Sequence, residues 1–326
     1  ILSIASNSWL SAWIGLEVNL LSFIPLLTNT SNSASTEASL KYFLTQALAS
    51  ATLLFTIIFA ALTFSMMNSL LISNLFLNTL ISSSLLLKMG AAPFHFWFPG
   101  VMEGLNWNNG LILMTWQKIA PLILLSYNLT FNMFIVFVII SSILVGSLGG
   151  LNQTSLRKIL AYSSINHLGW LISAALIGEF IWDIYFTLYA FLTASVIFMF
   201  HNFKITHLNQ AFSFNSIHPL SKFFLFGSLL SLGGLPPFLG FFPKWIVIQN
   251  MVELNSLPLI SMMVILTLVT LYYYLRIAFG AFLLSYSEIT WNHSSLTMTN
   301  SFYLTIILGS ISTLGLVLTS LVAHFL

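Results

Sequence analysis

Four charged side chains interrupt long apolar stretches of this sequence. Glu17 falls near the middle of the first stretch and Lys118 at the middle of the fourth, while Lys88 lies in the third and Lys244 in the eighth. If these stretches cross a membrane, a charge at the bilayer centre costs about 2.5–3.5 kcal/mol. We therefore expect these side chains to face protein or water, where partners exist, and we treat them as functional candidates.

Lysines and a carboxylate in such places suit proton transfer. Burial disfavours the charged form of a lysine and a nearby carboxylate favours it, so a small movement of the partner loads or releases a proton. Glu17 is the one carboxylate of the sequence well inside an apolar stretch, and its partner is expected to be Lys88 or Lys118, between which the spacing does not choose. Alternatively, Lys88 or Lys244 extends its ammonium group to the membrane surface.

Two histidines also fall within apolar stretches. His167 is flanked by serines and an asparagine, so it either packs between helices or joins a water chain as a relay, and the sequence leaves both interpretations open. His95 follows Pro93 by two residues, and a bond from its ring to a backbone carbonyl is the expected role.

The composition excludes several classes of protein. Of 326 residues, 58% are hydrophobic and 5% are charged, whereas soluble domains contain about 25% charged residues. A soluble enzyme, a disordered chain and a disulfide scaffold are therefore excluded. With no cysteine, thiol catalysis, iron–sulfur ligation and thiolate zinc sites are excluded too. The net charge of +2 gives no indication of nucleic acid, and the start at Ile1 predicts a preceding segment of about one helix.

The apolar stretches predict an all-α polytopic membrane protein, since a span needs about 20 apolar residues and must be helical in lipid. Short connections predict antiparallel neighbours within a single membrane domain, 1–326. The ten predicted spans are 8–27, 39–62, 72–97, 109–128, 131–150, 155–177, 180–204, 222–250, 258–284 and 302–325.

Basic residues are concentrated on one side of this arrangement. The loops after the even-numbered spans carry no Lys or Arg and contain Glu179, Asp183 and Glu253 instead. By the positive-inside rule, the loops after the odd-numbered spans face the cytoplasm or the matrix. Those loops and the adjoining helix ends contain Lys41, Arg157, Lys158, Lys204, Lys222 and Arg276.

Two proline-containing motifs predict an inverted repeat. Residues 90–99 and 234–243 both read G-x-x-P-F-x-x-x-F-P, 144 residues apart. Proline removes a backbone donor, so the third and eighth spans should be broken at Pro93 and at Pro236–Pro237. Five spans separate the motifs, which predicts halves 8–150 and 155–325 of opposite direction, a pattern typical of transport pathways. Two unrelated proline kinks are the alternative.

Several longer motifs resemble the antiporter-like membrane subunits of respiratory complex I, in the animal mitochondrial form. They cover most of the chain, and residues 285–326 carry little signature. The motifs are WIGLEVN (13–19), LKMGAAPFHFW (87–97), TWQKIAP (115–121), GLNQTSLRK (150–158), AYSSINHLGW (161–170) and GGLPPFLGFFPKW (233–245).

The resemblance implies a core subunit of the proton-pumping membrane arm of NADH:ubiquinone oxidoreductase in the inner mitochondrial membrane, with the positive loops in the matrix. It implies that Glu17 and Lys88 form a carboxylate–lysine pair, that Lys118 is the central relay and that Lys244 serves a second half-channel. Our hypothesis for the mechanism is that protons pass along Lys88, Lys118 and Lys244 through water, with His167 between the last two. It also implies no cofactor in this chain, with NADH, FMN, iron–sulfur clusters and ubiquinone bound by other subunits.

Partners implied by the same resemblance are the other membrane-arm subunits, lipids, protons and water, without nucleic acid. Two other functions are compatible with the residues alone. A stand-alone cation/proton antiporter would share the repeat and the buried lysines, and a structural, non-pumping subunit would keep the fold but tolerate neutral residues at Lys118 and Lys244.

Overall fold

A computed structural model describes residues 2–29, 32–66, 71–212, 219–283 and 300–325 of the chain. Throughout these ranges the regular structure is helical, apart from an isolated bridge between Ser155 and His207. The helices are α1 Trp9–Leu27, α2 Ser33–Met66, α3 Leu71–Met89, α4 Trp97–Gly104, α5 Trp107–Met114, α6 Trp116–Ser126, α7 Met133–Gly149, α8 Leu156–Ile177, α9 Glu179–Phe203, α10 Leu208–Phe212, α11 Pro219–Gly233, α12 Phe241–Glu253, α13 Leu257–Leu283 and α14 Asn300–Phe325.

Each predicted span corresponds to one helix or to a consecutive pair, so the all-α prediction is confirmed. Among the described helices, α1, α2, α8, α9 and α13 are long and apolar enough to cross a membrane. Large apolar side chains such as Leu44, Leu48 and Phe55 of α2 are mostly exposed, as expected for a surface that faces lipid rather than water.

The chain forms two compact units, residues 1–142 and 143–326, with the division inside α7. In the first unit, α1 and α2 pack on each other, and α2 and α6 pack on α3. In the second unit, α8 is the central helix, because 83% of its apolar 18-residue segment is buried. The corresponding share for α1, in the first unit, is 28%. The single domain 1–326 and the inverted repeats 8–150 and 155–325 stay predictions.

Both proline motifs interrupt a helix, and they do so with the same backbone geometry. Gly90 and Gly234 have φ of 75° and 83°, in the left-handed region that glycine tolerates best. The Gly90 N–H bonds to the Leu87 carbonyl at 3.2 Å and the next N–H bonds to Leu86 at 3.1 Å. The equivalent bonds from Gly234 and the following residue measure 3.0 and 3.5 Å. Each helix therefore ends in a Schellman cap, and the chain resumes as α4 or α12.

The fourth predicted span differs from expectation, because it is not continuous. Thr115 separates α5 from α6, with φ of −113° and ψ of −72°. Its hydroxyl donates to the Leu111 carbonyl at 2.8 Å, and its own carbonyl accepts from the Lys118 N–H at 3.2 Å. Hydropathy gives no sign of this interruption, because both flanking segments are apolar. It places Lys118 in the first turn of α6.

Candidate functional site

Lys88 and Lys118 line the same small cavity in the first unit. Lys88 occupies the last turn of α3 and is 7% exposed, and Lys118, in the first turn of α6, is 2% exposed. The centre of a water molecule can occupy a volume of about 20 Å³ inside this cavity. This is enough room for at least one water molecule. Its polar lining also includes Asn19, Tyr42, Gln46 and Gln117.

Helix interruptions position both lysines. Because α3 ends at Met89, the carbonyl of Lys88 is free to accept a bond from the side-chain amide of Gln46 at 3.2 Å. The Lys118 ammonium lies 5.0 Å from the centroid of the Phe98 ring, a cation–π distance. A Cβ on Gly90 would lie 3.2 Å from the Phe98 side chain, so glycine at the break lets Phe98 approach closely.

Glu17 lies on α1 beside this cavity and is half-buried. Its carboxylate acts electrostatically on Lys88, although the two form no direct ion pair among the residues that the structure describes. One of its oxygens, Oε2, is buried and makes no hydrogen bond to the described residues. Glu17 is therefore close enough to Lys88 for an electrostatic interaction, and the carboxylate–lysine pair stays a prediction.

A reciprocal pair of amides connects α1 to α6 at the cavity. Asn19 Nδ2 donates to Gln117 Oε1 at 2.7 Å, and Gln117 Nε2 donates to Asn19 Oδ1 at 3.4 Å. Both residues line the cavity. Because Gln117 precedes Lys118 directly, this pair fixes the start of α6 against α1.

Lys244 lies in the second unit, on α12, and is 5% exposed. Its ammonium donates to the Gly233 carbonyl at 2.9 Å, across the interruption between α11 and α12. Gly233 ends α11, where carbonyls lack intrahelical partners and the helix dipole is negative. A Cβ on Gly234 would lie 3.0 Å from the ammonium, so glycine at this break also makes room for the lysine.

His167 is 5% exposed in the middle of α8. Its Nδ1 shares a hydrogen bond of 3.0 Å with the Tyr185 hydroxyl, and its ring centroid lies 5.0 Å from that of Tyr189. The His95 Nδ1 lies 3.3 Å from the Pro93 carbonyl. His95 thus contacts the backbone of the break, which is the role expected from the sequence.

Sequence reasoning missed two sets of polar residues around these groups. Tyr42 and Gln46 come from α2, where Lys41 and Thr45 directly precede them, so the sequence did not distinguish the cavity-lining residues from their polar neighbours. The second set consists of buried tyrosines of α9 and α13, hidden among many aromatic residues. In the described ranges, no group of three or more His, Cys, Asp or Glu could hold a metal ion.

Comparisons with known proteins agree on the kind of protein. A family model described as "NADH:quinone oxidoreductase/Mrp antiporter, TM" matches residues 6–270. NADH-ubiquinone oxidoreductase chain 2 of Anopheles gambiae is 54% identical, and that of Aedes aegypti 56%, each over 99% of this chain and 94% of the relative. The Locusta migratoria protein of the same name is 47% identical over 98% of this chain and 92% of its own length.

Solved structures have the same fold. A chain of respiratory complex I from Thermus thermophilus superposes with a TM-score of 0.79 and 25% identity, over 96% of this chain and 75% of that one. A chain of the Mrp complex from Dietzia has a TM-score of 0.73 and 20% identity, over 84% of this chain and 56% of that one. Since the family model covers most of the sequence and the insect relatives nearly all of it, the chain belongs to the NADH:quinone oxidoreductase/Mrp antiporter family of membrane subunits.

Proposed function

We infer that this chain is a membrane-arm subunit of the proton-pumping NADH:ubiquinone oxidoreductase and conducts protons across the inner mitochondrial membrane. The observation that carries the proposal is the pair of buried lysines, Lys88 and Lys118, on one cavity with room for water. A buried lysine binds or releases a proton as its surroundings change. Two such groups around shared water can therefore pass a proton between them.

The proposed path starts at Glu17 and Lys88 and continues to Lys118 through the cavity. From there protons pass through water to His167 and Lys244 and leave on the outer side. The interruptions at Gly90 and Gly234 support this proposal, because broken backbone at membrane depth is tolerated where it is buried in protein or lines a wet cavity.

Control of the path is proposed to be electrostatic. Redox chemistry in other subunits shifts the Glu17–Lys88 pair, and the changed field alters the proton affinity of Lys118. Moving one charge against the membrane potential costs about 2.3 kcal/mol per 100 mV, so the path must block leak between pumping events. Alternating protonation of the two lysines does this without large helix movements.

In this proposal the chain is a translocase subunit without a redox centre. NADH, FMN, iron–sulfur clusters and ubiquinone bind to other subunits. The loops with Arg157 and Lys158 face the matrix, as the positive-inside rule predicts. Partners are the other membrane-arm subunits, lipids, protons and water.

Isolation of the native particle tests the assignment. Membranes that contain this chain are extracted in mild detergent, and the particle is assayed for NADH:quinone activity while mass spectrometry identifies its subunits. Co-isolation with an NADH-oxidising assembly supports the proposal. A small, inactive particle of one or two chains contradicts it, and cation/proton exchange by that particle in proteoliposomes would identify a stand-alone antiporter instead.

Breaking the Asn19–Gln117 pair is expected to impair pumping. Asn19→Leu leaves the Gln117 amide without its partner at the cavity, which costs about 1–3 kcal/mol of stability. In the double variant Asn19→Leu/Gln117→Leu no amide is left unpaired, so assembly recovers, while pumping stays low because the cavity has lost two polar groups that hold water. Assembly is measured on native gels and pumping in sealed vesicles. Normal pumping by the assembled double variant would show that the pair has only a packing role.

A further inference from the structure

Four tyrosines are buried in the second unit, and the proposed relay does not use them. Tyr185 and Tyr189 lie on α9, and Tyr273 and Tyr274 lie on α13, each at most 2% exposed. Fully burying a tyrosine hydroxyl in apolar surroundings is costly unless it finds a hydrogen-bond partner. Their concentration in one place therefore needs a reason beyond packing.

The tyrosines border the polar face of α8, on which His167 lies. Tyr185 shares a hydrogen bond with His167. One turn earlier on α8, the side chains of Ser164 and Ser163 lie near the hydroxyls of Tyr189 and Tyr274, respectively. Both serine hydroxyls donate to carbonyls of α8 itself. Hydroxyl groups thus follow α8 from the middle of the helix towards its N-terminus.

Several groups of this cluster are close to one another without direct hydrogen bonds. The hydroxyls of Tyr273 and Tyr274 and the side-chain oxygen of Asn166 are buried, and within the described ranges none of them makes a well-aligned hydrogen bond to a protein atom. The Tyr273 and Tyr274 rings are nevertheless neighbours, with centroids 4.6 Å apart. Because an unsatisfied buried polar group costs about 1–3 kcal/mol, we expect these groups to bond to water in the membrane-embedded protein.

The cluster ends at the loop between α7 and α8. A Cβ on Gly150 would lie 2.8 Å from the Tyr273 ring, so that ring packs directly on the loop backbone. One turn further along α13, the exposed Arg276 donates to the Leu151 carbonyl at 2.8 Å. The hydroxyl groups therefore extend from buried His167 to the loop between α7 and α8, in which Gly150 is buried, Leu151 is half-buried and Asn152 is exposed.

We propose that the hydroxyls of Tyr185, Tyr189, Tyr274 and Tyr273, with Ser163, Ser164 and the water between them, form the path by which His167 exchanges protons with the loop at Gly150 and Leu151. This inference rests on the proposed function, in which that loop faces the matrix. At each step one O–H or N–H bond breaks as the next forms, so a proton moves along the path without electron transfer.

The double variant Tyr189→Phe/Tyr274→Phe tests the path. It removes two hydroxyls and keeps both rings, so assembly is expected to stay normal. NADH-driven proton translocation in sealed vesicles is expected to fall by about ten-fold or more, because proton transfer without a positioned donor slows strongly. The remaining translocation should show a larger solvent deuterium isotope effect, which a packing defect would not produce.

Tyr272→Phe is the matched control, because Tyr272 neighbours the cluster on α13 but is 58% exposed. If the double variant translocates protons normally while Lys118→Met does not, the tyrosine path is overturned and the proposed function is retained. Normal translocation in both variants contradicts the proposed function itself. If the double variant fails to assemble, radiolytic footprinting of the native protein decides. Tyr274 beside bound water is oxidised faster than buried Phe200, and equal rates overturn the path.

Discussion

Replacing Lys118 with methionine is expected to abolish proton translocation coupled to NADH oxidation while the protein still assembles. Lys118 is 2% exposed, and methionine has a similar length without a group that can carry a proton. Removing a buried charge also removes its desolvation cost, so the fold should not suffer. The measurement is the number of protons translocated per electron in sealed vesicles, together with the amount of assembled complex.

Lys41→Met is the matched control for this variant. Lys41 carries the same charge, but its side chain is 52% exposed and it pairs with Glu37 on the surface of α2. Such a surface pair contributes less than about 1 kcal/mol, so pumping and assembly should both stay normal. A normal proton-to-electron ratio in Lys118→Met would refute a relay role for Lys118 and favour a structural subunit.

Replacing Gly240 with alanine is expected to prevent assembly of the protein. Gly240 precedes α12, and a Cβ at this position would collide with the Ser231 carbonyl oxygen of α11. Backbone cannot move aside as the end of a side chain can, so α11 and α12 would have to separate. That movement would also break the bond from Lys244 to Gly233. The amount of assembled complex on native gels measures the effect.

The control for Gly240→Ala is Gly100→Ala, which makes the same chemical change inside α4. A Cβ on Gly100 would meet no atom within 4 Å, and alanine is more favourable than glycine in a helix by about 1 kcal/mol. This variant should therefore assemble at least as well as the wild type. If Gly240→Ala assembles equally well, the close approach of α11 and α12 is not required by the fold.

Local sequence patterns were sufficient for the helices and for the unusual charges. Apolar stretches of about 20 residues identify membrane helices, because lipid leaves the backbone no other partners. The repeated motif located both helix interruptions, at Gly90 and Gly234, for the same local reason: glycine and proline limit the backbone wherever they occur. The interruption at Thr115 was missed, because the proline of this span, Pro121, lies six residues further on, inside α6.

Contacts between distant residues depended on the tertiary structure. Packing of the helices decides that Lys88 and Lys118 share a cavity with Gln46. It also decides that Lys244 bonds to a backbone carbonyl and that tyrosines from two helices surround the polar face of α8. Hydropathy reports only how apolar a residue's neighbours in the chain are. It carries no information on which sides of two helices contact each other. The charged groups could therefore be named from the sequence, whereas the residues around them could not.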